Sequence, residues 1–340
     1  MTDYLSNDIK FFKEIFPLAD NLNGSSFLIT GGTGLIGSIL VKCLLGLQKK
    51  IAITLPVRSR EKALKIFGNE NQYLCIVECD LNDYLEQLND KFDYVVHLAS
   101  PTSGQYITRY PSETYELTIE TTRSLLRYAK RQNVKGMVYV SSIEYYGQNS
   151  NDKIITENFL GYLDMSSTRS AYPMGKRAAE YLCFSFAKEY GVPVKIARLT
   201  QTFGIGVSKE DNRVFAQFAR SIINKDNIVM HTKGESAKPY CYTIDCVSAL
   251  LFILIKGKIG EPYNVANQST YISIRELAEF LRDNFCPTVK VIVEEHPELG
   301  YAPVTKLRLS TKKLMMLGWK PNYDLKEMYT RLIDYLKADL

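Results

Sequence analysis

The chain has 340 residues, enough for one α/β unit with an appended lobe, and its 46% hydrophobic and 23% charged residues exclude a disordered, collagen-like or mucin-like polymer. The net charge of +5 comes from 42 basic and 37 acidic residues mixed along the chain, with no Lys/Arg run able to track a phosphate backbone, so no nucleic-acid partner is expected. The longest apolar stretch, Ala249 to Ile255, falls far short of the ~20 residues that span a bilayer, and no basic-then-apolar leader opens the chain, so a cytoplasmic protein with no membrane partner is expected.

Residues 1–25 read as a helical extension with Tyr4, Ile9, Phe12, Ile15 and Phe16 on one side, ending in the turn cluster Asn21 to Gly24. From Ser26 onward, short β-branched runs alternate with helix-length segments: Phe27 to Ile29, Ile51 to Leu55, Leu74 to Val77, Tyr94 to Val96, Gly136 to Val140 and Val194 to Ala197. That rhythm predicts a doubly wound parallel sheet of Rossmann type over residues 26–200. A smaller α/β substrate lobe is expected over 201–340, with some chain crossing between the lobes. There the rhythm loosens, with loops at Gly204 to Gly206 and Gly300 to Val304. The segment Val247 to Ile255 is apolar nearly all round and reads as a core helix.

Directly after the first strand stands Thr30-Gly31-Gly32-Thr33-Gly34-Leu35-Ile36-Gly37, leading into a helical pattern. Glycines 31, 34 and 37 let the turn tighten, a pyrophosphate approach the backbone and the helix sit close on the strand, so a dinucleotide is expected here. The second strand runs into Val57-Arg58-Ser59-Arg60 instead of an acidic residue. Arg58 cannot accept the ribose hydroxyls but can pair with a 2′-phosphate, which favours NADP. Asp80 and Leu81, after the third strand, are placed for the adenine ring. The seven cysteines are odd in number and form no C-x-x-C pair, and His97, His231 and His296 are far apart, so reduced thiols and no metal site are expected. His97 reads as a packed residue on the cofactor side, and the other two histidines carry no case for a role.

The strand Val138 to Val140 ends in Ser141-Ser142-Ile143-Glu144, at the strand end that faces the ligand crevice. Tyr172 and Lys176, four apart in Tyr172-Pro173-Met174-Gly175-Lys176, share one side of a helix. An ammonium beside a phenol should lower the phenol's pKa and make Tyr172 a base for a hydroxyl, with Ser142 sharing the hydrogen bond.

With these motifs in place the chain, from about Ser26 to its C-terminus, resembles the extended short-chain dehydrogenases/reductases, in particular the NAD-dependent epimerase/dehydratase group that acts on nucleotide sugars. The likeness rests on Thr30 to Gly37, Val96 to Pro101, Ser142 to Gly147, Tyr172 to Lys176, Arg198 to Gly204 and Leu317 to Pro321. It implies a catalytic set of Ser142, Tyr172 and Lys176, with Glu144 working at the C5 side of the sugar. It also implies a cofactor lined by Leu98, Ala99 and Ser100, and NAD in place of the NADP that Arg58 favours. The stretches around Leu98 to Pro101 and Gly175 to Glu180 are most similar to UDP-glucuronate decarboxylases. Of the Asp-Glu pair of dTDP-glucose 4,6-dehydratases only Glu144 is kept.

Gln201 stands where these enzymes usually have Asn, and Lys238 where they usually have Arg. By the same resemblance a nucleotide diphosphate would be held by Gln201, by the cations Arg213 and Lys238, and against the aromatic wall of Tyr240. The implied reaction is epimerisation, dehydration or decarboxylation through a transient 4-keto sugar, usually in surface polysaccharide synthesis. An NADPH-dependent reductase of a nucleotide-linked keto sugar or ketose is the second reading, and a non-catalytic NAD(P)-binding sensor the third. The family's homodimer, a four-helix bundle, would use the helix Thr114 to Arg131 and the Tyr172 helix, with Leu117, Ile119, Leu125 and Leu126 to bury.

Overall fold

The computed structural model describes residues 4–296 and 303–338, so Gly300 to Ala302 of the second predicted loop, and the first three residues of the predicted extension, lie outside the described residues. The first half runs α1 (Tyr4–Ile15), β1 (Ser26–Thr30), α2 (Leu35–Gly46), β2 (Ala52–Val57), α3 (Arg60–Phe67), β3 (Leu74–Glu78), α4 (Leu81–Gln87), β4 (Tyr94–His97), α5 (Gly104–Arg109), α6 (Pro111–Gln132) and β5 (Gly136–Ser142). There follow β6 (Ile154–Ile155), α7 (Ala171–Tyr190), β7 (Val194–Leu199), β8 (Gln201–Phe203), α8 (Val214–Asn224), β9 (Ile228–Met230), β10 (Ala237–Tyr242) and α9 (Thr243–Lys256). The chain closes with β11 (Pro262–Val265), β12 (Asn267–Ser273), α10 (Ile274–Phe285), β13 (Val291–Val293), β14 (Arg308–Leu309), α11 (Lys312–Met315) and α12 (Leu325–Lys337).

Seven strands form one parallel sheet in the order β11-β7-β5-β4-β1-β2-β3. The order reverses between β1 and β4, and a crevice opens at the carboxyl ends on either side of such a switch. Helix packing on both faces buries the strands almost completely: all six residues of β7 are buried, as are six of the seven of β5. The predicted boundary at residue 200 is not a clean division. β8 and β10 build a small sheet with β12, and between β10 and β12 the chain returns through the almost wholly buried α9, which packs on β5 and β7, and adds β11 as the edge of the main sheet.

The N-terminal helix is not a free extension. It packs against α2 and α9, with Phe12 buried and Ile15 left partly exposed. Asp8 is buried and accepts hydrogen bonds from Arg331 Nη1 (2.5 Å), Tyr242 Oη (2.5 Å) and Tyr323 Oη (3.4 Å), so α1 is joined to the second lobe at both β10 and α12. No helix among the described residues is long and apolar enough to cross a membrane.

Candidate active site

A cleft of about 2490 Å³ runs along the carboxyl edge of the main sheet and under the second lobe. At its centre is the glycine loop. Gly31 has φ of +72°, and a Cβ there would lie 2.6 Å from the Ala99 nitrogen, so only glycine lets the loop close against the end of β4. A Cβ at Gly37 would stand 2.3 Å from the Gly31 carbonyl oxygen and would push α2 off the strand. No side chain caps α2, so its first-turn N–H groups are left for an anion in the cleft. Thr33, Gly34, Leu35, Ile36, Leu98, Ala99 and Ser100 line the same space. These residues fit a dinucleotide pyrophosphate. His97 stands behind them, fully buried, its Nδ1 2.7 Å from Thr30 Oγ1 and its pKa pushed down to about 3 chiefly by desolvation.

Arg58, Lys62, Lys65, Asp80 and Leu81 line the outer end of the cleft. Asp80 caps α4 through the amides of Asn82 (2.8 Å) and Asp83 (3.2 Å), whereas Arg60 turns back to Glu70 and the Ile76 carbonyl. Arg58 is thus the arginine of this pair that faces the cleft.

Ser142 ends β5, and its Oγ accepts from the Glu144 amide at 3.1 Å, fixing the 3₁₀ turn Ile143–Tyr146. Tyr172 and Lys176 are both buried in the first turns of α7 and line the cleft with Ser142 and Glu144. The expected lowering of the phenol's pKa is not found. Lys176 Nζ donates to the Val140 carbonyl at 2.9 Å and lies 5.6 Å from the Tyr172 ring centroid. Burial, and after it the Glu144 charge, push the Tyr172 phenol up, while the Ser142 hydroxyl pulls the other way. Lys176 is itself brought down to about 8 by desolvation, against the charges of Glu180, Cys183 and Glu144. Tyr172 and Lys176 do share a helix face, but burial raises the phenol where a neighbouring ammonium was expected to lower it, and Lys176 is not among the groups that move it.

The Glu144 side chain is exposed to the solvent of the cleft, although the cleft walls stand close around it. Desolvation raises its pKa, opposed by Lys238, Arg169 and Lys176 in that order. Arg169, three residues ahead of Tyr172 in a 3₁₀ turn, was missed in the sequence: a single arginine in an irregular segment has no spacing to mark it. Gln201, Arg213 and Lys238 also line the cleft, and Arg213 forks onto Asp211 with Nε 2.9 Å from Oδ1. Tyr240 does not reach it. Its ring is 2% exposed and packs edge-on to Phe203 with centroids 5.7 Å apart, because alternation along β10 turns Lys238 to the cleft and a bulge then sends Tyr240 into the core.

The family model for the NAD-dependent epimerase/dehydratase family matches residues 27–266. UDP-glucuronic acid decarboxylase 6 of Arabidopsis thaliana is 28% identical over 325 residues, covering 92% of this chain and 90% of that protein. UDP-glucose 4-epimerase of Thermotoga maritima, solved with UDP-glucose, superposes with a TM-score of 0.80 at 22% identity, covering 92% of this chain and 99% of that one. RMD of Pseudomonas aeruginosa, complexed with NADPH, gives 0.75 at 25% identity, covering 93% and 100%.

Proposed function

Since the chain belongs to the NAD-dependent epimerase/dehydratase family, we propose that it transforms a nucleotide-diphosphate sugar through transient oxidation at C4, and that UDP-glucuronic acid, which it decarboxylates, is the substrate. The observation that carries this reading is that Ser142, Glu144, Tyr172 and Lys176 line one cleft with the glycine loop. A bound nicotinamide would supply a reversible acceptor for the C4 hydride. Tyr172 is the group that would take the proton of the C4 hydroxyl, provided the positive charge of an oxidised nicotinamide beside it offsets the burial that raises its pKa, and Ser142 orients that oxygen. Lys176, brought near neutrality, supplies charge beneath the phenol at little protonation cost.

With a carbonyl at C4, a C5 carboxylate is the carboxylate of a β-keto acid. Its bond to C5 breaks, CO₂ leaves, and the electron pair remains at C5. Glu144, with its raised pKa, is the group that returns a proton there. Return of the hydride to C4 and of the Tyr172 proton to its oxygen would then restore the alcohol, and Lys238 and Arg169 face the anionic parts of the substrate. The test is to incubate the purified protein with UDP-glucuronic acid and no added cofactor. CO₂ and a UDP-pentose are expected, together with NAD retained by the protein and released on denaturation. No conversion, with an empty site that takes up NADPH, would sink the reading.

That second outcome defines the alternative, which rests on Arg58, Lys62 and Lys65 at the adenosine end, where no carboxylate ends β2. In an NADPH-dependent reductase the same Ser142, Tyr172 and Lys176 would deliver a proton to the developing alkoxide, and Glu144→Gln would be silent.

We further infer a homodimer through α6 and α7. Leu125 and Leu126 cannot supply its contacts, since both are fully buried within the chain. The exposed aromatics of this helix pair are Tyr115, Tyr181, Phe184 and Tyr190. A monomeric mass by light scattering at micromolar concentration would overturn the assignment.

A further inference from the structure

The turn that carries Glu144 is flanked by Tyr145 and Tyr146, and one buried side chain holds both. The Arg198 guanidinium on β7 lies 3.5 Å from the Tyr145 ring centroid, and its Nη1 donates to Tyr146 Oη at 3.1 Å and to the Glu157 carbonyl at 2.7 Å. Tyr146 Oη passes its own proton to Asn264 Oδ1 at 2.6 Å, so the turn is moored to β11 as well. Behind Arg198 stands Glu180, on the same helix as Lys176 and one turn beyond it. Glu180 receives Arg198 Nε at 3.0 Å and Nη2 at 2.6 Å, and on Oε1 the hydroxyl of Ser141 at 2.5 Å, the residue before Ser142. The side chains of this ion pair are only 3% and 6% exposed.

A buried ion pair is weak evidence for stability, since well-packed apolar groups do as well. What apolar groups could not do is fix a planar five-donor fork against two neighbouring tyrosines and a strand-end serine. Apart from the Glu157 carbonyl, the contacts of this cluster land on residues beside Ser142 and Glu144. Arg177 adds a second tie from α7, with Nε on the Tyr145 carbonyl at 2.7 Å.

We propose that Arg198, locked by Glu180, is the positioning residue that holds the Glu144 turn in the cleft, opposite Lys238 and Arg169. The assignment rests on the reading of Glu144 as the proton-transfer group. Its physical content is that Glu144 keeps its place inside the cleft only while both flanking tyrosines are held. Released, the turn would carry its carboxylate out of the cleft, away from Lys238 of β10, Arg169 of the 3₁₀ turn before α7, and Tyr172 and Lys176 of α7.

The test uses the full chain with glutamate carboxyls isotope-labelled for NMR titration, the Glu144 signal being the one lost in Glu144→Gln. Arg198→Lys keeps the charge beside Glu180 but gives up the fork and the stacked plane, and Tyr146→Phe removes a single hydroxyl. In both variants the Glu144 midpoint should fall toward an ordinary carboxyl value, further in Arg198→Lys, while cofactor affinity stays within about threefold. Turnover of UDP-glucuronic acid should fall ~10–100-fold in kcat with KM little changed. A folded Arg198→Lys protein with an unmoved Glu144 midpoint overturns the proposal, and should that variant fail to fold, an unmoved midpoint in Tyr146→Phe does so. If Glu144→Gln turns over normally, the catalytic reading of Glu144 fails, and the midpoint shift still decides whether Arg198 positions it.

Discussion

Lys176 and Tyr172 share a helix face, yet the lysine ammonium is bonded to the Val140 carbonyl at 2.9 Å and stands 5.6 Å from the tyrosine ring centroid. The lysine is held by strand β5, the same strand that ends in Ser142, so the relative positions of Ser142 and Lys176 are fixed through one backbone segment. The arrangement places a charge in a site that penalises it, and the cost is measurable.

Lys176→Met should raise the stability of the folded chain at neutral pH by roughly 1–3 kcal/mol while abolishing turnover. The folded pKa of about 8 lies below the ordinary 10.5, so between these values the unfolded chain binds the extra proton and wild-type stability rises with pH. The gap between wild type and variant should therefore be widest below about pH 8 and close toward pH 10.5 in urea melts. A variant that melts lower at neutral pH would show that the ammonium contributes more through its hydrogen bond than its desolvation costs.

Arg58 makes the cofactor preference a single-residue question. Arg58→Asp should weaken NADP binding ~10–100-fold, by removing a charge-assisted partner of the 2′-phosphate, and should strengthen NAD binding. Calorimetric titration with each cofactor reads both. Equal loss for the two would mean that Arg58 contacts the shared part of the molecule.

Gly37→Ala places a Cβ 2.3 Å from a backbone oxygen that cannot move without moving the loop. Cofactor affinity should drop at least ~10-fold and stability by ~1–3 kcal/mol. Normal binding in this variant would show that α2 can shift off β1 without disturbing the loop.

Asp8 should tolerate asparagine better than alanine. Burial outweighs Arg331 and raises its pKa, so this carboxylate adds stability that is present at low pH and lost as pH rises through the raised value. Asp8→Asn keeps acceptors for Tyr242 and Arg331 and should cost ~1–2 kcal/mol, against ~3–5 for Asp8→Ala, in thermal melts at neutral pH.

The parallel sheet was legible because buried parallel strands are continuous β-branched runs, and the glycine loop because its spacing is forced by close backbone approach at Gly31 and Gly37. Ser142, Glu144, Tyr172 and Lys176 could be brought together from strand-end and helix-face rules alone. Whether a residue near the site faces it was not legible. The bulge between Lys238 and Tyr240 reverses what simple alternation would give, and no pattern in the sequence marks it. Leu125 and Leu126 looked available for a partner because periodicity identifies an apolar face without saying what covers it. The phenol's pKa is set by how deeply Tyr172 is buried and by Glu144 nearby, neither of which spacing can supply.

The bond between Asp8 and Arg331 spans 323 positions, and Tyr4 Oη reaches Asp334 at 2.8 Å across a similar distance. Helix α1 is made 323 positions before its partner Arg331, so it stays half-seated until α12 has been synthesised. Such a topology has high contact order and folds late. A rearranged chain in which α12 directly precedes α1 would form first the contact that the natural order makes last.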